Sequence, residues 1–222
     1  MDRTSHIKSM EDYIMSELTH VLKERRSATK FHPEVKISEQ ELEEMFSLVK
    51  YAPSAFNLQH AHYIVVNDPE KKNRVYEAAN KQFKIKTASA AILVLGDLNA
   101  YENVREMNEG MLNLGIINKQ ELDMTVESVT QFYRERGDSF KRDEAIRNAS
   151  LSAMLFMLIA QDKGWDTCPM IGFDPEQMRK ELNIPEQYVP VMLIALGKED
   201  ASRQRLRGYR KPVGEFVTYN GF

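Results

Sequence analysis

Two arginines and a serine in succession, Arg25-Arg26-Ser27, followed by Lys30, set two guanidiniums and a hydroxyl at what reads as a helix end. Such groups fork onto a phosphate, each guanidinium offering paired N–H donors. The same residues also read as basic complements to the C-terminal dipole of that helix. A second stretch, Ala52-Pro53-Ser54-Ala55-Phe56-Asn57-Leu58-Gln59-His60, joins a helix to a strand without the usual hairpin turn pairs. Its carbonyls, the Ser54 hydroxyl and the Asn57 amide could cradle a polar ring, or form a plain connecting loop. Asn80-Lys81-Gln82-Phe83-Lys84 puts polar groups just before a buried strand, where they suit the carbonyl edge of a heterocycle or ordinary helix-end chemistry. In Pro169-Met170-Ile171-Gly172-Phe173, Gly172 lets a backbone N–H approach a ligand closely, or simply turns a strand into a helix.

Motifs in which side chains carry the chemistry themselves are missing. No G-x-G-x-x-G follows a strand, and neither a Walker-A lysine motif nor a G-x-S-x-G elbow is present. Cys168 is the only cysteine and lies between Thr167 and Pro169 in an apolar stretch, so it reads as core. One cysteine excludes an intrachain disulfide and a Cys-rich zinc site. His60 and His62 share one face of a strand, but no third ligand sits at metal spacing, and no metal is expected. If the chain is an enzyme, the pattern points to a bound cofactor.

The elements that must position these segments are legible from periodicity and caps. Residues 10–26 predict a helix, with Met10, Ile14, Leu18, Val21 and Leu22 at helical spacing. Ser38-x-x-Glu41 is a capping box opening a helix through Lys50. Asp68-Pro69 and Asp174-Pro175 cap two further helices. Strands are expected over 61–67, 88–96, 165–171 and 188–197, with Pro190 favouring an edge position or the first residues of its strand. Residues 98–136 read as polar and helical, broken near Gly115 and ended at Gly137. A long helix over 142–163 follows, apolar nearly all round from 153 to 160, which suits a central element or a subunit interface. Phe132, Tyr133 and Phe140 in the 101–140 region read as core packing or as a cap over a ring.

The 222 residues carry 30 Lys and Arg against 33 Asp and Glu, a net charge of −3, with 42% hydrophobic and 28% charged residues. That is the profile of a soluble mixed α/β protein with helices covering a sheet. Near-neutral charge argues against a dedicated nucleic-acid binder. Apolar runs of six residues, 90–95 and 191–196, are far short of the ~20 a membrane span needs. No secretory signal is read in the first twenty residues, so a cytoplasmic location is expected.

Taken in order, the Arg-Arg-Ser start, the Ala-Pro-Ser-Ala-Phe-Asn-Leu-Gln loop, the Gly-Trp-Asp-Thr-Cys-Pro-Met-Ile-Gly-Phe segment and the Arg-Lys-Pro near the C-terminus resemble the FMN-dependent nitroreductase family, over about residues 18–220. The resemblance looks closest to the bacterial NAD(P)H nitroreductases of the short, single-domain type. It implies an α+β fold with a mixed β-sheet flanked by helices, and an intertwined homodimer with two FMN molecules at its interface. Residues 1–17 are then an N-terminal extension and the start of the first helix, 18–202 the FMN-binding domain, and 203–222 a C-terminal arm reaching over the partner subunit. By the motif match, Arg25, Arg26 and Ser27 hold the FMN phosphate and ribityl end, and Arg210 and Lys211 close on the same phosphate. Lys84, with Gln82 or Asn80, faces the pyrimidine edge of the ring. Pro53, Ser54, Ala55 and Asn57 come from the partner subunit, joined by Asn148, and the backbone N–H of Gly172 or Ile171 points at flavin N5.

The resemblance further implies ping-pong hydride transfer through N5 from NADH or NADPH to a nitroaromatic, quinone or related acceptor, with no catalytic side chain demanded. Two departures stand out. Thr29 occupies a position that is often basic in the family, with Lys30 following, and Ile171 stands where some members carry a glutamate. Three alternatives stay open: a flavin reductase or ene-reductase on the same scaffold, a non-catalytic FMN carrier or redox sensor, and a dimeric structural domain without cofactor.

Overall fold

The structure, a computed structural model, describes residues 16–222. Four strands form one sheet in the order β1-β2-β4-β3: β1 (Ala61–Val66), β2 (Ala90–Asp97), β3 (Asp166–Met170) and β4 (Tyr188–Gly197). All three strand pairs are antiparallel. Among the described residues, the parallel component of the expected mixed sheet is the isolated bridge Ser27–Thr167, which lays the chain after the first helix alongside β3.

Side chains on the central strands alternate between two cores. Ala91, Leu93 and Leu95 of β2, with Leu193 and Ala195 of β4, face a layer containing Val75, Ile85 and Met178. Those three lie on α3 (Pro69–Ala78), α4 (Phe83–Thr87) and α7 (Pro175–Glu181). Ala90, Ile92, Val94, Ile194 and Leu196 face the opposite layer. It is built from α2 (Glu39–Val49) and the second half of α6 (Lys119–Asp162). Because β2 is covered on both faces, its sequence is a continuous apolar run rather than an alternation. A third cluster joins Leu58, Tyr101, Val129 and Tyr133 where α5 (Val104–Asn113) packs on the first half of α6.

The caps form as their sequences dictate. Ser38 and Glu41 complete a reciprocal capping box, and Asp68 and Asp174 each accept backbone N–H bonds at the start of a proline-led helix. Gly137 breaks α6 with φ 73° and ψ −173°, separating its polar and apolar halves. Pro190 lies in the sheet interior by strand order, yet β3 pairs only with residues 193–197 of β4. At Pro190, the third residue of β4, the strand pairs with Leu95 of β2 across an irregular register and is unpaired by β3.

The first helix departs from its expected span. α1 spans Ser16–Glu24; Met10 and Ile14 of the predicted helix lie outside the described residues. Leu18 and Leu22 are exposed rather than buried. In the C-terminal segment Leu206, Tyr209, Phe216, Tyr219 and Phe222 all point to solvent in the single chain.

Candidate functional site

The first group of site residues assembles at the seam between α1 and β3. The Ala28 N–H donates to the Thr167 carbonyl at 3.0 Å, seating Ala28 in the core and fixing Arg25 just after the helix end. Arg207, from the C-terminal segment, donates to the carbonyls of Lys23 and of Arg25, the latter at 3.0 Å. Those are C-terminal carbonyls of α1 without helical partners, which a guanidinium satisfies well. Arg210 follows three residues later and donates to the carbonyls of Gly208 and Tyr209.

Burial pulls the Arg25 guanidinium below its ordinary pKa, and repulsion from Arg207 and Arg210 adds to it, partly offset by Cys168. No carboxylate among the described residues pairs with Arg25, and its Nη1 is buried without a hydrogen-bond partner. Thr167 Oγ1, at the same seam, is likewise buried and unpartnered. Converging cations with unfilled donors are what a phosphate dianion satisfies. Arg26 turns away to Glu24 at 3.3 Å, and Lys211 is exposed.

Beside this seam the chain 80–84 meets the turn at Gly172. The Gly172 carbonyl accepts from Asn80 Nδ2 at 3.1 Å and Gln82 Nε2 at 2.9 Å. A Cβ at position 172 would lie 3.3 Å from that Gln82 nitrogen, tight enough to disturb the contact. Asn80 and Lys81 hold φ of 52° and 58°, left-handed backbone that side chains rarely adopt. Such strain tends to gather at functional sites. Lys84 donates to Cys168 Sγ at 3.2 Å, so the cysteine has a cationic neighbour as well as a core position. Ile171 is 80% exposed.

The second group lies on the other face of the sheet. The Ala55 N–H donates to Asn148 Oδ1 at 2.8 Å, and Asn148 Nδ2 donates to the Glu144 carbonyl at 2.7 Å. Ser54 Oγ accepts the Gln59 N–H at 2.9 Å, and the Asn57 N–H closes a turn on the Ser54 carbonyl. Phe56, Asn57 and Gln59 all hold positive φ, between 51° and 55°. A cavity of about 220 Å³ opens here between Phe46, Pro53, Ser54, Tyr63, Asn148 and Ser152. His60, also lining it, is 2% exposed, and burial pushes its pKa down to about 4. Next to the loop, Phe56 meets Phe132 edge-on at 5.4 Å, while Tyr133 is buried and stacks on Tyr101.

The structure thus gathers Arg25, Ser27, Asn80, Gln82, Lys84 and Gly172 on the α3–α4 side, with Arg210 close to Arg25. Pro53, Ser54, Ala55, Asn57 and Asn148 gather on the α2–α6 side, with the sheet between the two groups. Residues 22–198 match the family described as "Nitroreductase family". The chain belongs to the nitroreductase family. It is 55% identical over 205 residues to a Bacillus subtilis (strain 168) protein provisionally named NAD(P)H nitroreductase MhqN, covering 92% of this chain and 100% of that one. A crystal structure of a provisionally named nitroreductase, ydfN, from Bacillus subtilis superposes with TM-score 0.91 at 55% identity, covering 92% and 99% of the two chains. Another, from Exiguobacterium sibiricum 255-15 and solved in complex with FMN, matches with TM-score 0.84 at 26% identity, over 91% and 96%.

Three features of this nitroreductase-family site escaped sequence reasoning. Arg207 sits in a basic stretch with no motif to single it out from Arg205 or Arg210. The left-handed residues at 56, 57, 59, 80 and 81 are not glycines, and only the asparagines among them hint at such backbone. The Lys84–Cys168 contact joins residues 84 positions apart.

Proposed function

We propose that this nitroreductase-family chain is an FMN-dependent NAD(P)H oxidoreductase that reduces nitroaromatics, quinones or related acceptors. The observation that carries the reading is the cluster of Arg25, Arg207 and Arg210, in which, among the described residues, Arg25 has no carboxylate partner and a buried guanidinium nitrogen without an acceptor. The residues present fit a mononucleotide phosphate. When bound, FMN supplies the redox chemistry, taking a hydride from NADH or NADPH and delivering two electrons to the acceptor.

Arg25, Arg210 and the Ser27 hydroxyl would hold the phosphate, with Arg26 and Lys211 adding to the positive field. Lys84, Gln82 and Asn80 would meet the edge of the ring, where the Lys84 ammonium would stabilise negative charge at that edge. The two side-chain amides on the Gly172 carbonyl fix that turn, and the absent side chain leaves its backbone accessible, with Ile171 beside it. His60 does not serve as a proton donor at neutral pH, being buried and held neutral. Solvent is the proton source this arrangement supports.

Placement on opposite faces of one sheet supports a homodimer. Pro53, Ser54, Ala55, Asn57 and Asn148 of one subunit complete the site of the other, and the 203–222 arm lays its exposed rings on the partner. Steady-state oxidation of NADH or NADPH at several quinone concentrations tests the activity. Parallel double-reciprocal lines, the mark of a ping-pong cycle, are expected. FMN-loaded protein that oxidises neither nicotinamide in the presence of a quinone or nitroaromatic contradicts the reading.

A further inference from the structure

Beside the ring-facing segment lies a second, polar cavity of about 550 Å³ between Thr29, Lys30, Phe83 and Arg205. It adjoins the site just described without overlapping it, since Phe83 sits between Gln82 and Lys84 in the chain. Phe83 opens α4 and is 56% exposed, an unusual place for a bare ring at the start of a helix. Arg205 pairs with no carboxylate among the described residues. The acidic groups nearby are already engaged. Asp200 holds Lys30 at 3.1 Å and accepts from Ser202, which keep its carboxyl down at about 2. Glu199 accepts the Thr29 N–H at 2.9 Å and Gln204 Nε2 at 3.3 Å.

The cavity therefore offers a flat aromatic face and an uncommitted guanidinium, with an ammonium already paired to Asp200 at its margin. A mononucleotide phosphate at Arg25 leaves these groups unused. Resting on the oxidoreductase reading above, we infer that this cavity receives the adenosine end of NADPH and makes NADPH the preferred hydride donor. Adenine stacks on Phe83, and the 2′-phosphate takes a charge-assisted pair with Arg205 and, at the margin, with Lys30. NADH offers a neutral 2′-hydroxyl at the same place, so the guanidinium gains little from it. A lysine at position 205 would supply charge without the planar fork, and would keep only part of the preference.

The test uses fragments that carry no hydride. Isothermal titration of the FMN-loaded protein with adenosine 2′,5′-bisphosphate and with adenosine 5′-monophosphate reads the 2′-phosphate alone. The bisphosphate is expected to bind at least about tenfold tighter, the size of one charge-assisted bond. Arg205→Ala removes that difference, Arg205→Lys restores part of it, and Phe83→Ala weakens both ligands alike. In parallel, the ratio of kcat/KM for NADPH over NADH falls by about the same factor in Arg205→Ala. Equal binding of the two fragments, or a difference that survives Arg205→Ala, overturns the inference. Unequal binding together with no oxidation of either nicotinamide sinks the oxidoreductase reading instead, so the two failures are distinguishable.

Discussion

Arg25 is costly to the protein as it stands and, on the proposed reading, useful once FMN is bound. Its guanidinium is partly buried and faces two like charges, which lowers its pKa, while Nη1 finds no acceptor among the described residues. Arg25→Ala removes that repulsion, so the FMN-free protein is expected to melt no lower than the parent. FMN binding weakens by about 2 kcal/mol, roughly thirtyfold in Kd, and the FMN-induced rise in melting temperature shrinks accordingly. Fluorescence titration of FMN checks it, and unchanged affinity removes Arg25 from the site. His60 gives a second prediction at this scale. Burial holds it at about 4 in the folded chain, against about 6.5 when unfolded. Its contribution is complete above 6.5 and drains away as pH falls from 6.5 to 4, where the unfolded chain takes up a proton that the folded chain refuses. The total is about 3 kcal/mol. Urea unfolding at pH 7 and pH 4.5 reads it, and His60→Leu is expected to flatten that slope while lowering stability at pH 7 through loss of the Tyr133 contact.

Elements hold the site to tolerances set by close backbone contacts. Gly96 near the end of β2 lies under α6: a Cβ there would sit 2.7 Å from the Ala145 carbonyl oxygen, and backbone cannot swing aside. Gly96→Ala is expected to cost about 1–3 kcal/mol in thermal or urea unfolding, and to loosen Asn148 one turn further along the same helix. A neutral outcome would mean that α6 shifts freely on the sheet. Much of this layer was legible beforehand. Ser38 with Glu41, Asp68-Pro69 and Asp174-Pro175 act through bonds within four residues, so their helices start where the sequence places them. The runs 90–95 and 191–196 announce buried strands by composition alone. Strand order and direction were not legible, because they depend on pairings between residues far apart in the chain, from Met170 with Leu193 to Ala90 with Leu196. The site divides in the same way. Arg25, Ser27 and Gly172 stand out in short motifs, whereas Arg207 earns its place only by meeting the carbonyls at the end of α1, 182 residues away.

The whole molecule carries its two groups of candidate residues on opposite faces of one sheet, and a tail whose rings are exposed in the single chain. Leu206 is 95% exposed and Tyr219 80%, and the second half of α6 presents Leu151 and Met154 to solvent as well. Sedimentation is expected to give twice the 25.7 kDa chain mass, and truncation after residue 211 to weaken self-association and FMN retention together. A monomer that binds FMN with full affinity would mean that the α2–α6 group has another role. That this cluster of arginines serves a flavin reduced by a nicotinamide is tested most directly by the visible absorption spectrum of the purified protein before and after anaerobic NADPH or NADH. Flavin bands that bleach on addition are the expected result. No flavin bands, even after incubation with FMN, or bands that persist with both nicotinamides, would contradict it.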